Sequence, residues 1–211
     1  MIELFEKISA SLQRGKAAEV TAYTTQAVEE GHSSQEILDA MLTGMSIIGV
    51  KFKNNEVFVP EVLIAARAMN SGMEVIKPLL IHQGVESAGK VVLGTVKGDL
   101  HDIGKNLVRM MMVGNGLEVI DLGVNIPPEK FVAAIQENKP DILGMSALLT
   151  TTMGNMKEVI QAITEAGLRD QVKIMVGGAP VTADFAASIG ADKYSPDAAT
   201  AATDARDLIK S

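Results

Sequence analysis

Val91-Val92-Leu93-Gly94-Thr95-Val96, followed after Lys97 by Gly98-Asp99-Leu100-His101-Asp102-Ile103-Gly104-Lys105-Asn106, is the stretch that decides how this chain folds. The apolar run, dense in β-branched residues, predicts a buried parallel strand. The spacing of Ile103, Leu107, Val108 and Met111 predicts an amphipathic helix directly after it. His101 is thereby placed in a loop at the carboxyl end of a strand, where open α/β sheets hold their ligands. Asp99 lies two residues earlier, close enough to hydrogen-bond one imidazole nitrogen and leave the other to a metal. Gly104 either lets the backbone approach something large or lets the helix start tightly. The pattern predicts a histidine presented outward as a ligand.

The chain has 211 residues, 47% of them hydrophobic, which suits one large domain or two small ones. Its core is aliphatic: aromatic residues make up 3%, Trp is absent and Met numbers 12. A net charge of −7 without a basic patch argues against a nucleic-acid partner. Cys is absent, which excludes disulfides and thiolate metal sites and fits a reducing cytoplasm. No apolar stretch reaches the roughly 20 residues of a membrane span, and the N-terminus lacks a signal-peptide pattern. The expectation is a cytoplasmic protein with neither a membrane nor a nucleic acid as partner.

Two halves differ in period. Residues 1–88 read as four helices and a linker. Ile2, Leu4, Phe5, Ile8 and Leu12 form one stripe, and Ala17, Val20, Tyr23, Thr24, Ala27 and Val28 a second. Ser33-Ser34-Gln35-Glu36 has the form of a capping box ahead of Ile37, Leu38, Met41, Met45 and Ile48. Pro60 suits an early helix position before Val62, Leu63, Ala66, Met69, Met73 and Ile76. The stretch 82–89 loses the period and reads as a linker. From Lys90 onward strands alternate with helices. Strands are expected at 90–96, 117–122, 141–147, 172–177 and, weakly, 192–194, and helices at 103–114, 128–138, 152–166, 180–189 and 197–209. Residues 89–211 therefore predict an α/β domain, a doubly wound parallel sheet of five strands of flavodoxin or Rossmann type, preceded by a four-helix bundle.

Three strand ends carry residues that an apolar sheet does not need. After the first come Gly98, Asp99, His101, Asp102, Ile103 and Gly104; after the third Ser146, Leu148, Thr150, Thr151 and Thr152; after the fourth Gly177, Gly178, Ala179 and Pro180. In a doubly wound sheet these loops share one edge and flank a crevice. Glycines there let the backbone approach a flat or extended ligand, and hydroxyls hydrogen-bond it. Plainer readings stand beside this one. His101 and Asp99 could cap the helix, the Ser146 and Thr hydroxyls could cap the next one (the preferred reading for Thr151), and Gly177-Gly178 could form a turn.

Asp-x-His-x-x-Gly at 99–104, 41 residues, Ser-x-Leu at 146–148, 28 residues and Gly-Gly at 177–178 together resemble the signature of cobalamin-binding domains. Phe58-Val59-Pro60-Glu61-Val62-Leu63, continuing to Ala65, Ala66, Ala68 and Met69, resembles the last helix of the cap found in methionine synthase and in corrinoid proteins of methyltransferase systems. The resemblance spans nearly the whole chain. It implies a cobalamin or related cobamide whose lower base has left the cobalt and entered a slot in the domain. His101 would then be the metal ligand, Asp99 its hydrogen-bond partner, and Thr152, where methionine synthase has a serine, the next hydroxyl of the relay. Gly98, Asp102, Ile103, Gly104, Ser146, Leu148, Thr150, Gly177, Gly178, Ala179 and Tyr194 would line the cofactor site, and Val62 and Met69 would cover the upper face from the cap.

The function so implied is that of a corrinoid methyl carrier. As Co(I) it takes a methyl group from a substrate held by a partner methyltransferase. As methyl-Co(III) it hands the group to a second methyltransferase acting on tetrahydrofolate or a thiol, and a corrinoid-reducing activator keeps it in service. A cobalamin-dependent sensor and the small subunit of an adenosylcobalamin mutase share the histidine motif. The first usually adds a DNA-binding or signalling segment, and the second typically lacks a helical cap of this kind. A plain flavodoxin-like or receiver domain finds no phosphate-cradling loop or acidic cluster in its support. The methyl donor is not readable from the residues.

Overall fold

The computed structural model describes residues 2–82 and 89–210. Its first half comprises α1 (Ile2–Gln13), α2 (Ala17–Glu29), α3 (Ser34–Lys53) and α4 (Val59–His82). Leu4, Ile8 and Leu12 of α1, Val20 and Ala27 of α2, and Ile37, Met41, Met45 and Ile48 of α3 are buried, as a 3.6-residue period requires. The capping box is formed: Ser33 Oγ accepts from the Glu36 N–H at 3.2 Å, and the Glu36 carboxylate accepts from the Ser33 N–H at 3.0 Å. Pro60 is the second residue of α4, while Pro78 sits inside that helix. A proline there removes one backbone donor and argues for a helix end, yet α4 continues to His82. The linker reading falls on 83–88, which lie outside the described residues.

The second half is a parallel sheet wound by helices. Its elements are β1 (Lys90–Thr95), α5 (Ile103–Gly114), β2 (Glu118–Asp121), α6 (Pro128–Asn138), β3 (Ile142–Ser146), α7 (Gly154–Glu165), β4 (Lys173–Gly177), α8 (Ala183–Ile189), β5 (Lys193–Tyr194) and α9 (Ala198–Lys210), with a 3-10 turn at Arg169–Gln171. All strand pairs are parallel and the order is β2-β1-β3-β4-β5. The order reverses between β1 and β3, so the loops leaving these two strands flank the switch point, where doubly wound sheets bind ligands. The described residues divide into two compact units, one built on α1 to α4 and one on the sheet, with 113–116 grouped with the helices.

Strand alternation sorts the sheet's residues. Val92, Val96, Leu143, Met145, Ile174 and Val176 share a core with Phe131 and Ile135 of α6, Met156, Val159 and Ile163 of α7, and Ala186 and Ile189 of α8. Right-handed crossovers put α6, α7 and α8 on that face and leave the other to α5 and α9. Residues of opposite parity, Val91, Leu93, Thr95, Ile142, Ser146 and Met175, belong to this second face. Thr95 and Ser146 are register partners on it.

Two expected helix starts come later in the structure by two residues or more. α7 begins at Gly154 rather than 152, because the Thr152 side chain turns back to Asp99. α8 begins at Ala183 rather than 180, where Thr182 accepts from the Phe185 N–H at 3.2 Å.

Gly94 makes the close packing of α6 on β1 possible. A Cβ there would stand 2.8 Å from the ring of Phe131, which is fully buried. Gly94→Ala is expected to destabilise the protein by about 1–3 kcal/mol, read by denaturant unfolding. Combined with Phe131→Leu it is expected to cost less than the sum of the two single changes, and strict additivity would contradict the contact.

Candidate functional site

The loop between β1 and α5 turns sharply at Gly98, whose φ of +81° lies in the left-handed region. Neighbouring elements hold it by hydrogen bonds. The Gly98 N–H donates to Asn125 Oδ1 at 2.8 Å, the Asn125 N–H donates to the Asp99 carbonyl at 3.0 Å, and Asn155 Nδ2 donates to the Lys97 carbonyl at 2.6 Å. Val96 anchors the loop's first residue in the core, but its later apolar side chains do not: Leu100 is 71% exposed and Ile103, the first residue of α5, is 80% exposed.

Asp99 points inward and its side chain has no solvent access. Oδ1 accepts from the His101 N–H at 3.0 Å and faces His101 Nδ1 at 2.7 Å. Oδ2 accepts from the N–H groups of Leu148 and Leu149 at 2.7 and 3.3 Å and from the Thr152 hydroxyl at 2.7 Å. Burial alone would push this carboxyl up. The Thr152 hydroxyl, the Leu148 N–H and the His101 N–H and ring outweigh burial and hold Asp99 well below the usual carboxylate range. An ionised carboxylate has no proton to give, so the proton in the 2.7 Å contact sits on Nδ1 of His101. The neutral ring then carries its lone pair on Nε2, and the His101 side chain is 51% exposed. This is the tautomer and presentation of a metal ligand.

Ser146 ends β3 with its hydroxyl 2.8 Å from that of Thr95, and Leu148, Leu149 and Thr150 are exposed on the next loop. Gly104 is open, and a Cβ there would meet nothing within 4 Å. Gly177 is half-buried, and Gly178 and Ala179 are exposed. Gly178 has φ +125°, and a Cβ on it would overlap the Ala147 carbonyl, so no larger residue fits. The Asp102 carboxylate accepts from Asn106 Nδ2 at 3.0 Å, and Tyr194 is a half-buried residue of β5. Val62 and Met69 are fully buried, whereas Phe58, Val59, Leu63 and Ile64 carry the exposed apolar surface at the start of α4. One residue along a helix turns the side chain by about 100°, which moves the exposed positions from Val62 to Leu63.

Sequence reasoning missed Thr95, Asn125, Asn155 and the Leu149 N–H, none of which has a periodic signal. It also passed over Lys105, which is buried in α5 and ion-paired to Asp121 at 2.5 Å. Among the described residues, no group of three His, Cys, Asp or Glu is arranged to hold a bare metal ion. A metal met by His101 alone has to bring its remaining ligands with it, and a cobalt corrinoid does so. The single imidazole and the open Gly104 fit such a group.

Two family models, each described as a B12 binding domain, match residues 89–203 and 4–77. The trimethylamine corrinoid protein 1 of Methanosarcina acetivorans is 45% identical over 196 residues, 92% of this chain and 89% of its own. The dimethylamine corrinoid protein 1 of the same organism is 39% identical over 98% of each chain. A solved cobalamin-binding protein from Desulfitobacterium hafniense superposes with a TM-score of 0.83 at 30% identity, over 97% of this chain and 98% of its own. A chain of the methanol:cobalamin methyltransferase complex from Methanosarcina barkeri gives 0.85 at 33% identity, over 99% of this chain and 80% of its own. A parallel sheet presenting one ligand-ready histidine, and matches running through both halves, make this chain a member of the B12-binding family of corrinoid proteins.

Proposed function

We propose that the chain is a cytoplasmic methyl carrier in a corrinoid-dependent methyltransferase system, with residues 1–88 as a helical cap and 89–211 as the corrinoid-binding module. The observation that carries this reading is the buried, ionised Asp99, which fixes the His101 proton on Nδ1 and leaves the Nε2 lone pair free for a metal. The corrinoid, when bound, supplies a cobalt centre able to accept and release a methyl group. His101 would hold that centre, and Asp99 would raise the basicity of its ring. Thr152 with the Leu148 and Leu149 N–H groups keeps Asp99 charged where water does not reach. Gly98, Gly104, Ser146, Leu148, Thr150, Gly177, Gly178, Ala179 and Tyr194 serve the cofactor's body and tail. The relatives named for trimethylamine and dimethylamine support a methylated amine, held by a partner methyltransferase, as the methyl source. A second methyltransferase acting on tetrahydrofolate or a thiol takes the group, and a corrinoid-reducing activator restores the carrier.

Three measurements test the proposal. Protein reconstituted with cobalamin is expected to exchange methyl groups with an amine methyltransferase and to accumulate the methyl form; no exchange, or accumulation of the 5′-deoxyadenosyl form, would contradict it. His101→Ala is expected to bind the corrinoid while losing the visible spectrum of the histidine-ligated form, and an unchanged spectrum would count against His101. Asp99→Asn sets an amide NH2 against donors at one end or the other. It is expected to lower stability by about 1–3 kcal/mol. An amide donating to Nδ1 would also move the ring proton to Nε2, so histidine ligation should fall with stability; ligation at the wild-type level would remove Asp99 from the account.

A further inference from the structure

We infer that Thr95 is a positioning residue for axial ligation, holding the backbone of His101 through a hydroxyl chain that begins at Ser146. This rests on the reading of His101 as the lower ligand. Thr95 Oγ1 donates to the His101 carbonyl at 3.0 Å and lies 2.8 Å from Ser146 Oγ. Proton count fixes the direction of both bonds. A carbonyl only accepts and Thr95 has one hydroxyl proton, so that proton goes to His101, and Ser146 must donate to Thr95.

The placement suits a fixed post. Thr95 is fully buried at the last position of β1, and its register partner is Ser146 of β3. Its main chain is tied on both sides, since its N–H donates to the Gly123 carbonyl and its carbonyl accepts from the Ile126 N–H, each at 3.0 Å. A β-branched side chain on a strand has few rotamers to choose from. Past Val96, which is buried in the core, the loop it steadies has no apolar anchor, because Leu100 and Ile103 are exposed. Hydrogen bonds therefore decide where His101 stands. Asp99 holds the ring and the N–H of His101, and Thr95 holds the carbonyl at the other end of the same residue. With the carbonyl released, the residue can rotate about its remaining holds, and Nε2 no longer waits at a fixed height.

The test compares Thr95→Val, which keeps the shape and deletes the hydroxyl, with Thr95→Ser, which keeps the hydroxyl. Each protein is loaded with cobalamin and reduced to Co(II), and electron paramagnetic resonance reads the splitting from an axial nitrogen. Thr95→Val is expected to lower the ratio of nitrogen-ligated to unligated cobalt roughly five- to tenfold, the size of one lost hydrogen bond, and Thr95→Ser to restore it. A Thr95→Val protein with the wild-type ratio, or a Thr95→Ser protein as impaired as Thr95→Val, would overturn the inference while leaving His101 as ligand. Absence of nitrogen splitting in the wild-type protein would overturn the reading of His101 and this inference with it. If Thr95→Val does not fold, Thr95→Ala provides the same comparison against Thr95→Ser.

Discussion

A carboxylate shut off from water must find its solvation in the protein, and Asp99 draws five donors from three segments of chain to do so. An unpaired buried charge would cost several kcal/mol, so the β1–α5 loop, the β3–α7 loop and the turn into α7 are bound to one another through that single side chain. The same constraint sets the chemistry. Because the donors keep Asp99 ionised, the His101 proton has one place to go, and the free lone pair faces outward. Structure and reactivity thus share one cause.

The sheet supplies the geometry that allows this. Reversal of strand order between β1 and β3 brings their exits side by side, so residues 49 to 53 apart in sequence meet at Asp99. Parallel pairing in register places Thr95 beside Ser146, and the hydroxyl pair continues the sheet's order into the loop. Gly178 permits the β4 exit to pass against Ala147, where any Cβ would collide. Around His101, Leu100, Ile103, Leu148 and Leu149 remain exposed, an apolar rim of the sort that a large ligand or partner covers.

Much of this was legible in the residues. Periodicity marks the four helices and apolar runs mark four of the strands, because both report burial of one face or two, whereas the two-residue β5 carries only a weak signal. The Asp99–His101 pair was legible because two residues of spacing in a loop keep the two side chains within reach of each other. The long-range partners were less so. Thr152 stands out among the strand-end hydroxyls and takes its relay role only from resemblance, and its hydrogen bond to Asp99 delays the start of α7 by two residues, an effect no helix period announces. Asn125, with its left-handed φ of +55°, and the buried Lys105 act through contacts between segments that look like ordinary loop and surface residues in one dimension. On α4, Val62 and Met69 are buried and Leu63 is exposed, a difference of one position that hydrophobicity alone does not resolve because the stretch is apolar on neighbouring positions.

The buried carboxylate dictates which nitrogen of His101 is bare. Long-range ¹H–¹⁵N correlation spectra of the apo protein, with the histidine rings labelled, measure this directly at neutral pH. The account requires His101 to carry its proton on Nδ1, with Nε2 at the shift of an unprotonated ring nitrogen. A His101 ring protonated on Nε2, or averaging freely between the two tautomers, would contradict it.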